Sequence, residues 1–257
     1  MLKDLEKRYI DFSVRILEDL RSRSPLVHII SNAVTIESVA DMVLATGALP
    51  IAAHAPEEVG EVTSRADSLL LNTGTPDSQR FESYLISGKV AKEKGIPVTF
   101  DPVGAGISRF REKITKTILD KVCPRIVRMN QGEAAFIVKS DKKSLRGVDS
   151  LEINMEKHDL ERFARENRVI LVVTGRTNIV TDGKNTFETL LGNPVMKRVT
   201  GGGCMLDAII ASFAASSIGS ILDRTVSALV LYNYLSTKLS GKGIKEELIS
   251  SVRNFPE

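Results

Sequence analysis

The run VTGGGCMLDAIIASFAA (199–215) places three glycines, a cysteine and an acid at the head of an apolar helical pattern. A helix N-terminus presents backbone N–H groups with no intrahelical partner and carries a partial positive charge. Glycines remove the Cβ atoms that would keep an anion from those donors, so Gly201, Gly202 and Gly203 form a candidate phosphate nest. No Lys-Ser or Lys-Thr follows, so the run is not a P-loop; a plain structural turn is the alternative. Cys204 sits where a helix dipole is expected to lower a thiol pKa. It could be a covalent nucleophile or stand beside a reacting hydroxyl. It could equally be a small buried apolar residue, the ordinary state of a free cysteine. Asp207 lies three residues on, near the same helix face, either as an acid complementing the helix N-terminus or as a helper to Cys204.

Two further acids close apolar runs or open helices. Asp101 ends PVTFD, and Glu133 lies in MNQGE at a helix start. Magnesium favours one or two carboxylates together with phosphate oxygens and water, so this pair could serve it directly or through water. The competing readings are an Asp-Pro turn for Asp101 and, because Asn130 lies three residues earlier, a capping box for Glu133. Arg128 suits bidentate phosphate contact but could be a surface arginine at a strand end. Asn32 could bond a ligand or fix its own turn. His28, His54 and His158 show no metal-ligand spacing. His28 reads as structural, and His54, in a strand-end turn, as a candidate substrate contact.

These residues need a scaffold, and the pattern supplies one. Helical spacing is expected over 2–21, 36–46, 56–66, 77–94, 109–121, 131–139, 158–167, 204–218, 222–240 and 244–254. Strands are expected over 27–30, 49–53, 68–72, 97–101, 125–129, 169–174, 178–182 and 185–191. Thr35 is expected to cap the second helix and Gly47 to end it. The polar stretch 140–157 is expected to leave the core. Strands separated by helices imply an α/β fold whose largely parallel sheet is covered on both faces, with an antiparallel hairpin at one edge. In such sheets ligands bind beyond the carboxyl ends of the strands, where these polar and glycine residues gather.

The 257 residues suit one domain, 1–257, with no repeat or low-complexity linker. A net charge of +3 with scattered Lys and Arg offers no basic face for nucleic acid. Two cysteines do not make a secreted disulfide framework. The first residues, MLKDLEKRYI, are charged and amphipathic, unlike a secretion signal. No apolar run reaches membrane-spanning length. A cytoplasmic location without membrane attachment is expected.

Seven segments resemble, in order, the hydroxyethylthiazole kinase family of thiamine salvage: PLVHIISNAVT (25–35), APEEV (55–59), LLLNTGT (69–75), GIPVTFDPVGAG (95–106), RMNQGE (128–133), VVTG (172–175) and RVTGGGCMLDA (198–208). The resemblance implies a ribokinase-like three-layer α/β/α fold. It also implies ATP-dependent, Mg2+-assisted phosphorylation of the alcohol of 4-methyl-5-(2-hydroxyethyl)thiazole by a homotrimer with active sites between subunits. Carried over by position, it places Arg128, Thr174 and Gly203 on the nucleotide and Asn32, Ala52, Gly74 and Gly201 on the thiazole. Asp101 and Glu133 fall near the metal, and Cys204 falls where sugar kinases of this fold carry a catalytic aspartate.

The sequence departs from the family pattern at several positions. Ala52 stands where the family usually has methionine, Met129 where it has glycine, and Asp207 where threonine or serine is common. GGGC replaces GTGC or GAGC. These changes leave the reaction class intact and bear on substrate fit. Rival readings are a kinase of the same fold for another small vitamin-precursor alcohol, a nucleotide-dependent hydrate dehydratase, and a non-catalytic nucleotide-binding relative.

Overall fold

The computed structural model describes residues 2–139, 156–241 and 243–256. The chain opens with α1 (Asp4–Arg23), β1 (Leu26–Ile30), α2 (Ile36–Thr46), β2 (Leu49–Ile51), α3 (Pro56–Arg65), β3 (Ser68–Asn72) and α4 (Ser78–Lys94). It continues with β4 (Val98–Asp101), α5 (Arg109–Lys121), β5 (Ile126–Asn130), α6 (Gln131–Lys139), α7 (Lys157–Asn167) and β6 (Ile170–Thr174). The hairpin β7 (Asn178–Thr181) and β8 (Thr186–Thr189) follows, then a 3-10 turn (Pro194–Arg198), α8 (Gly202–Ala214), α9 (Ile221–Ser236) and α10 (Ile244–Arg253). Each expected helix and strand is present, with ends moved by a few residues. The 3-10 turn is additional. It is set by Pro194 and by Asn193, whose side chain accepts from the Val195 N–H. The expected polar excursion lies, but for its last two residues, outside the described residues.

The eight strands form one sheet in the order β2-β1-β3-β4-β5-β6-β7-β8. Pairing is parallel through β6 and antiparallel for the β7–β8 hairpin. The period-2 alternation of apolar strand residues sends one set to each face. Ile29, Leu70, Ile126, Ile170 and Val172 pack under α1, α2, α8, α9 and α10. Ile30, Leu69, Leu71, Phe100, Val127, Leu171 and Val173 pack under α3 to α7. Two cores on opposite faces of one sheet make three α/β/α layers.

The order reverses at β1, whose successor β2 lies on one side and β3 on the other. Loops leaving β1 and β3 therefore diverge and open a crevice at the carboxyl edge. α8 crosses this region late in the sequence, packing on β3 and β4 and against α2 and α9. Its Met205–Ala214 stretch is buried throughout. A helix apolar on all sides is a core helix, and here its N-terminus arrives at the strand ends.

Two local expectations are corrected. Thr35 occupies the cap position of α2, but its hydroxyl makes no cap bond. Asn32 orders the turn ahead of the helix instead: its Oδ1 accepts from the N–H groups of Val34 at 3.1 Å and Thr35 at 3.0 Å, an Asx turn that leads the chain into α2. The helix expected to begin at Cys204 begins at Gly202, and only Gly201, with φ of 82°, stays outside as the cap. Glycine tolerates that left-handed conformation without strain.

Candidate active site

The site lies where β1, β3, β4, β5 and β6 end and α8 begins. Asn72 and Asp101 are register partners on β3 and β4, so their side chains leave adjacent strands side by side. Asn72 Nδ2 donates to Asp101 Oδ2 at 2.8 Å and lies 3.4 Å from Cys204 Sγ. Asn32 Nδ2 donates to Asn72 Oδ1 at 3.0 Å and lies 3.5 Å from the same sulfur. A buried polar chain thus runs from Asn32 through Asn72 to Asp101, with Cys204 above it. The donor atoms of Asp101, Cys204 and Asp207 all lie within 4.8 Å of one another.

Arg128 rises from β5 into this group. Its Nη2 donates to Thr174 Oγ1 at 2.8 Å, its Nη1 stands 3.6 Å from Asp101 Oδ2, and its Nε stands 3.9 Å from Asp207 Oδ1. The guanidinium lies against Gly203, where an added Cβ would stand 2.4 Å from Nη1. The third glycine is therefore required by an arginine of its own chain. Gly201, besides its φ, faces Thr35, whose Cγ2 would lie 2.7 Å from an added Cβ.

Glu133 holds the neighbouring loops. Its Oε2 accepts from Asn130 N–H while Asn130 Oδ1 accepts from Glu133 N–H, both at 2.9 Å, a reciprocal capping box. Its Oε1 accepts from Gly104 N–H at 2.8 Å. Each carboxylate oxygen retains a second lone pair for a water or a cation.

Arg111 and Asn72 were not picked out in the sequence as site residues. Arg111 Nη1 donates to the carbonyls of Thr73 and Val103, and its Nη2 to the carbonyl of Gly74 at 2.8 Å. One side chain thereby ties the loop after β3, which holds Gly74, to the loop after β4. The signal for Asn72 was an asparagine closing an apolar strand. Arg111 gave none, because a helical arginine three residues past an N-cap serine looks like any solvated one.

Carboxyls outnumber cations here. Burial raises the Asp101 carboxyl well above its ordinary range, Asp207 adds to the rise, and Arg128 opposes it. Burial also raises Asp207, against Arg128. Glu133 is pushed up to about 7 by burial and then by Asp101. Burial works against the Arg128 charge, but Asp207 and Asp101 outweigh it and hold the guanidinium firmly protonated. Cys204 overturns its expectation. Burial, then Asp101 and Asp207, push its thiol up to about 12, so the helix N-terminus does not yield a thiolate.

Ala52 and His54 lie apart from this cluster, exposed just past β2 at the sheet edge. His28 is buried on β1. Its Nε2 donates to the Ala53 carbonyl at 2.9 Å and its Nδ1 meets Thr63 Oγ1 at 2.8 Å. Burial lowers its pKa, so it acts as a neutral brace for the strand end that precedes His54.

Comparison with known proteins places this geometry. The sequence pattern of the hydroxyethylthiazole kinase family matches residues 17–252. The chain belongs to the hydroxyethylthiazole kinase family. It is 40% identical over 206 residues to a hydroxyethylthiazole kinase of Ruminiclostridium cellulolyticum, covering 79% of this chain and 75% of that protein. The structure of the hydroxyethylthiazole kinase protein from Pyrococcus horikoshii OT3 superposes with a TM-score of 0.84 at 31% identity, covering 96% of this chain and 94% of that one. A ribokinase-like superfamily protein of Enterococcus faecalis V583 superposes with a TM-score of 0.66 at 15% identity, covering 93% and 92% of the two chains. That last likeness is one of fold: the same three-layer arrangement at low sequence identity.

Proposed function

We propose that this member of the hydroxyethylthiazole kinase family transfers the terminal phosphate of ATP to the hydroxyl of 4-methyl-5-(2-hydroxyethyl)thiazole, a step of thiamine salvage. The observation that carries the reading is the meeting of the α8 N-terminus, Asp101 and Arg128 at one point of the strand-end crevice. Amides at the head of α8, with Gly203 and the Arg128 guanidinium, neutralise the transferring phosphate. Thr174 fixes the guanidinium and contacts the nucleotide. Asn32, Gly74 and Gly201 line the thiazole side, and Ala52 stands farther out, exposed at the sheet edge past β2.

The residues suit Mg2+. Asp101 Oδ1 is buried without a hydrogen-bond partner, and hard carboxylate oxygens are the donors this ion prefers. Asp101 would hold it directly and Glu133 through water, while the soft sulfur of Cys204 would not. The ion supplies charge neutralisation for the phosphate oxygens.

Phosphoryl transfer is loose in its transition state, so the alcohol keeps its proton until bond formation is well advanced. A neutral thiol is then sufficient. Asn32 and Asn72 hold Cys204 Sγ, the sulfur orients the incoming hydroxyl, and the proton leaves with a phosphate oxygen. Positioning and fixed charge supply the acceleration.

The reading extends to a single-domain, cytoplasmic enzyme and to a homotrimer with active sites between subunits. Exposed Val34 and Ala52 flank the crevice edge and would face a neighbour. Light scattering on the purified protein tests the trimer. Transfer of labelled phosphate from ATP to hydroxyethylthiazole, run beside other small vitamin-precursor alcohols, tests the activity. ATP hydrolysis without labelled thiazole phosphate, or a stronger preference for another alcohol, overturns it.

A further inference from the structure

We propose that Asp207 is a positioning residue for the nucleotide, setting the Arg128 guanidinium against the head of α8. The proposal rests on the kinase reading only in taking Arg128 as a nucleotide contact.

Asp207 is fully buried one turn after Gly203 and Cys204 on α8. It faces Nε of Arg128, while Asp101 faces Nη1 and Thr174 holds Nη2. The guanidinium is thus approached on three sides by three elements, α8, β4 and β6. Arg128 Nε and both Asp207 oxygens are buried and have no hydrogen-bond partner. Opposite charges this close in a dry interior attract strongly, and Asp207 is the acid that faces Nε while Thr174 and Asp101 occupy the other two nitrogens.

The helix gives this pair its consequence. α8 carries the amides that would receive a phosphate and, one turn later, the carboxylate that fixes the cation. Both halves of the phosphate site are therefore registered to one rigid, buried element. Asp101 would not serve equally, because a dication held there would compete with Arg128 for its charge. Asp207 then remains opposite Nε, and the guanidinium keeps its place beside Gly203.

The test compares wild type, Asp207→Asn, Arg128→Met and the double variant. ATP affinity is measured by calorimetry, and KM for each substrate, kcat and Tm are measured alongside. Asp207→Asn is expected to weaken ATP binding and raise the ATP KM about tenfold, the size of one lost charged contact, leaving the thiazole KM within about twofold. In the Arg128→Met background the same substitution is expected to have no effect on ATP affinity. Additive losses overturn the proposal. So does a fall in kcat with ATP affinity unchanged, which assigns Asp207 to proton transfer, or a lowered Tm with both KM values unchanged, which makes it structural. If Asp207→Asn does not fold, Asp207→Ser makes the same comparison. Calorimetry needs no acceptor alcohol, so a wild type that binds ATP without phosphorylating the thiazole fails the kinase reading and leaves this test intact.

Discussion

The Arg128 guanidinium lies so close to Gly203 that a Cβ on the glycine would stand 2.4 Å from Nη1. Gly203→Ala must therefore move the arginine. Because Gly203 is already helical, alanine brings no backbone strain, and the effect falls on the cation. ATP affinity is expected to fall about tenfold or more while Tm changes by only a few degrees. Calorimetry and thermal melts check it. Unchanged ATP affinity would separate Arg128 from the nucleotide.

Arg111 joins two loops through three carbonyls. Arg111→Met leaves those carbonyls without their charged donor and is expected to cost about 2–3 kcal/mol of stability. kcat should also fall, since Gly74 lies on one loosened loop and the other follows directly on Asp101. Arg111→Lys should recover little, as an ammonium cannot reproduce the fork. Denaturant unfolding of the three proteins decides it, and equal midpoints would sink the clamp.

Cys204 is a neutral thiol at working pH, held up at about 12. Between pH 7 and 9, kcat should not rise as a thiolate-dependent rate would. Iodoacetamide should modify the exposed Cys123 before Cys204, as peptide mass spectrometry would show. Cys204→Ser should keep most activity, Cys204→Asp should remain active, and Cys204→Ala should lose about tenfold in kcat as the hydroxyl loses its guide. A fully active Cys204→Ala protein removes the sulfur from the reaction.

Glu133 rises from 4.5 to about 7 on folding. A carboxyl raised in the folded state binds its proton more tightly there than in the unfolded chain. Its stabilisation is full below pH 4.5 and is lost as pH rises through 7. At about 1.4 kcal/mol for each tenfold in proton affinity, the loss is about 3 kcal/mol. Glu133→Gln breaks one hydrogen bond at every pH but carries no proton. The ligand-free variant should therefore gain on wild type by that amount between pH 4.5 and 7. A stability difference flat across that range contradicts the assignment.

The layers, the largely parallel sheet and its edge hairpin were legible because they rest on local signals: apolar period, glycine placement and polar residues closing apolar runs. The Asn130–Glu133 capping box was readable for the same reason. What escaped the sequence is long-range. Cys204 looked activated by its helix, but burial and then its neighbours Asp101 and Asp207 reversed the effect, and Asp101 lies more than a hundred residues away. Thr35 sits at the cap of α2, but its hydroxyl makes no cap bond. Arg111 became legible only once two loops had closed around it.

α8 is made after every strand of the sheet. A chain that ends near residue 200 holds every strand yet lacks α8, α9 and α10, a large part of the cover over Leu70, Ile126, Ile170 and Val172. Such a fragment lacks the amides at the head of the helix and exposes a sticky apolar surface. Ribosomal stalling before that point therefore yields a product that cannot bind nucleotide at the α8 head and is a natural target for chaperones and proteases. The same helix that completes the catalytic crevice thus certifies that translation has passed it.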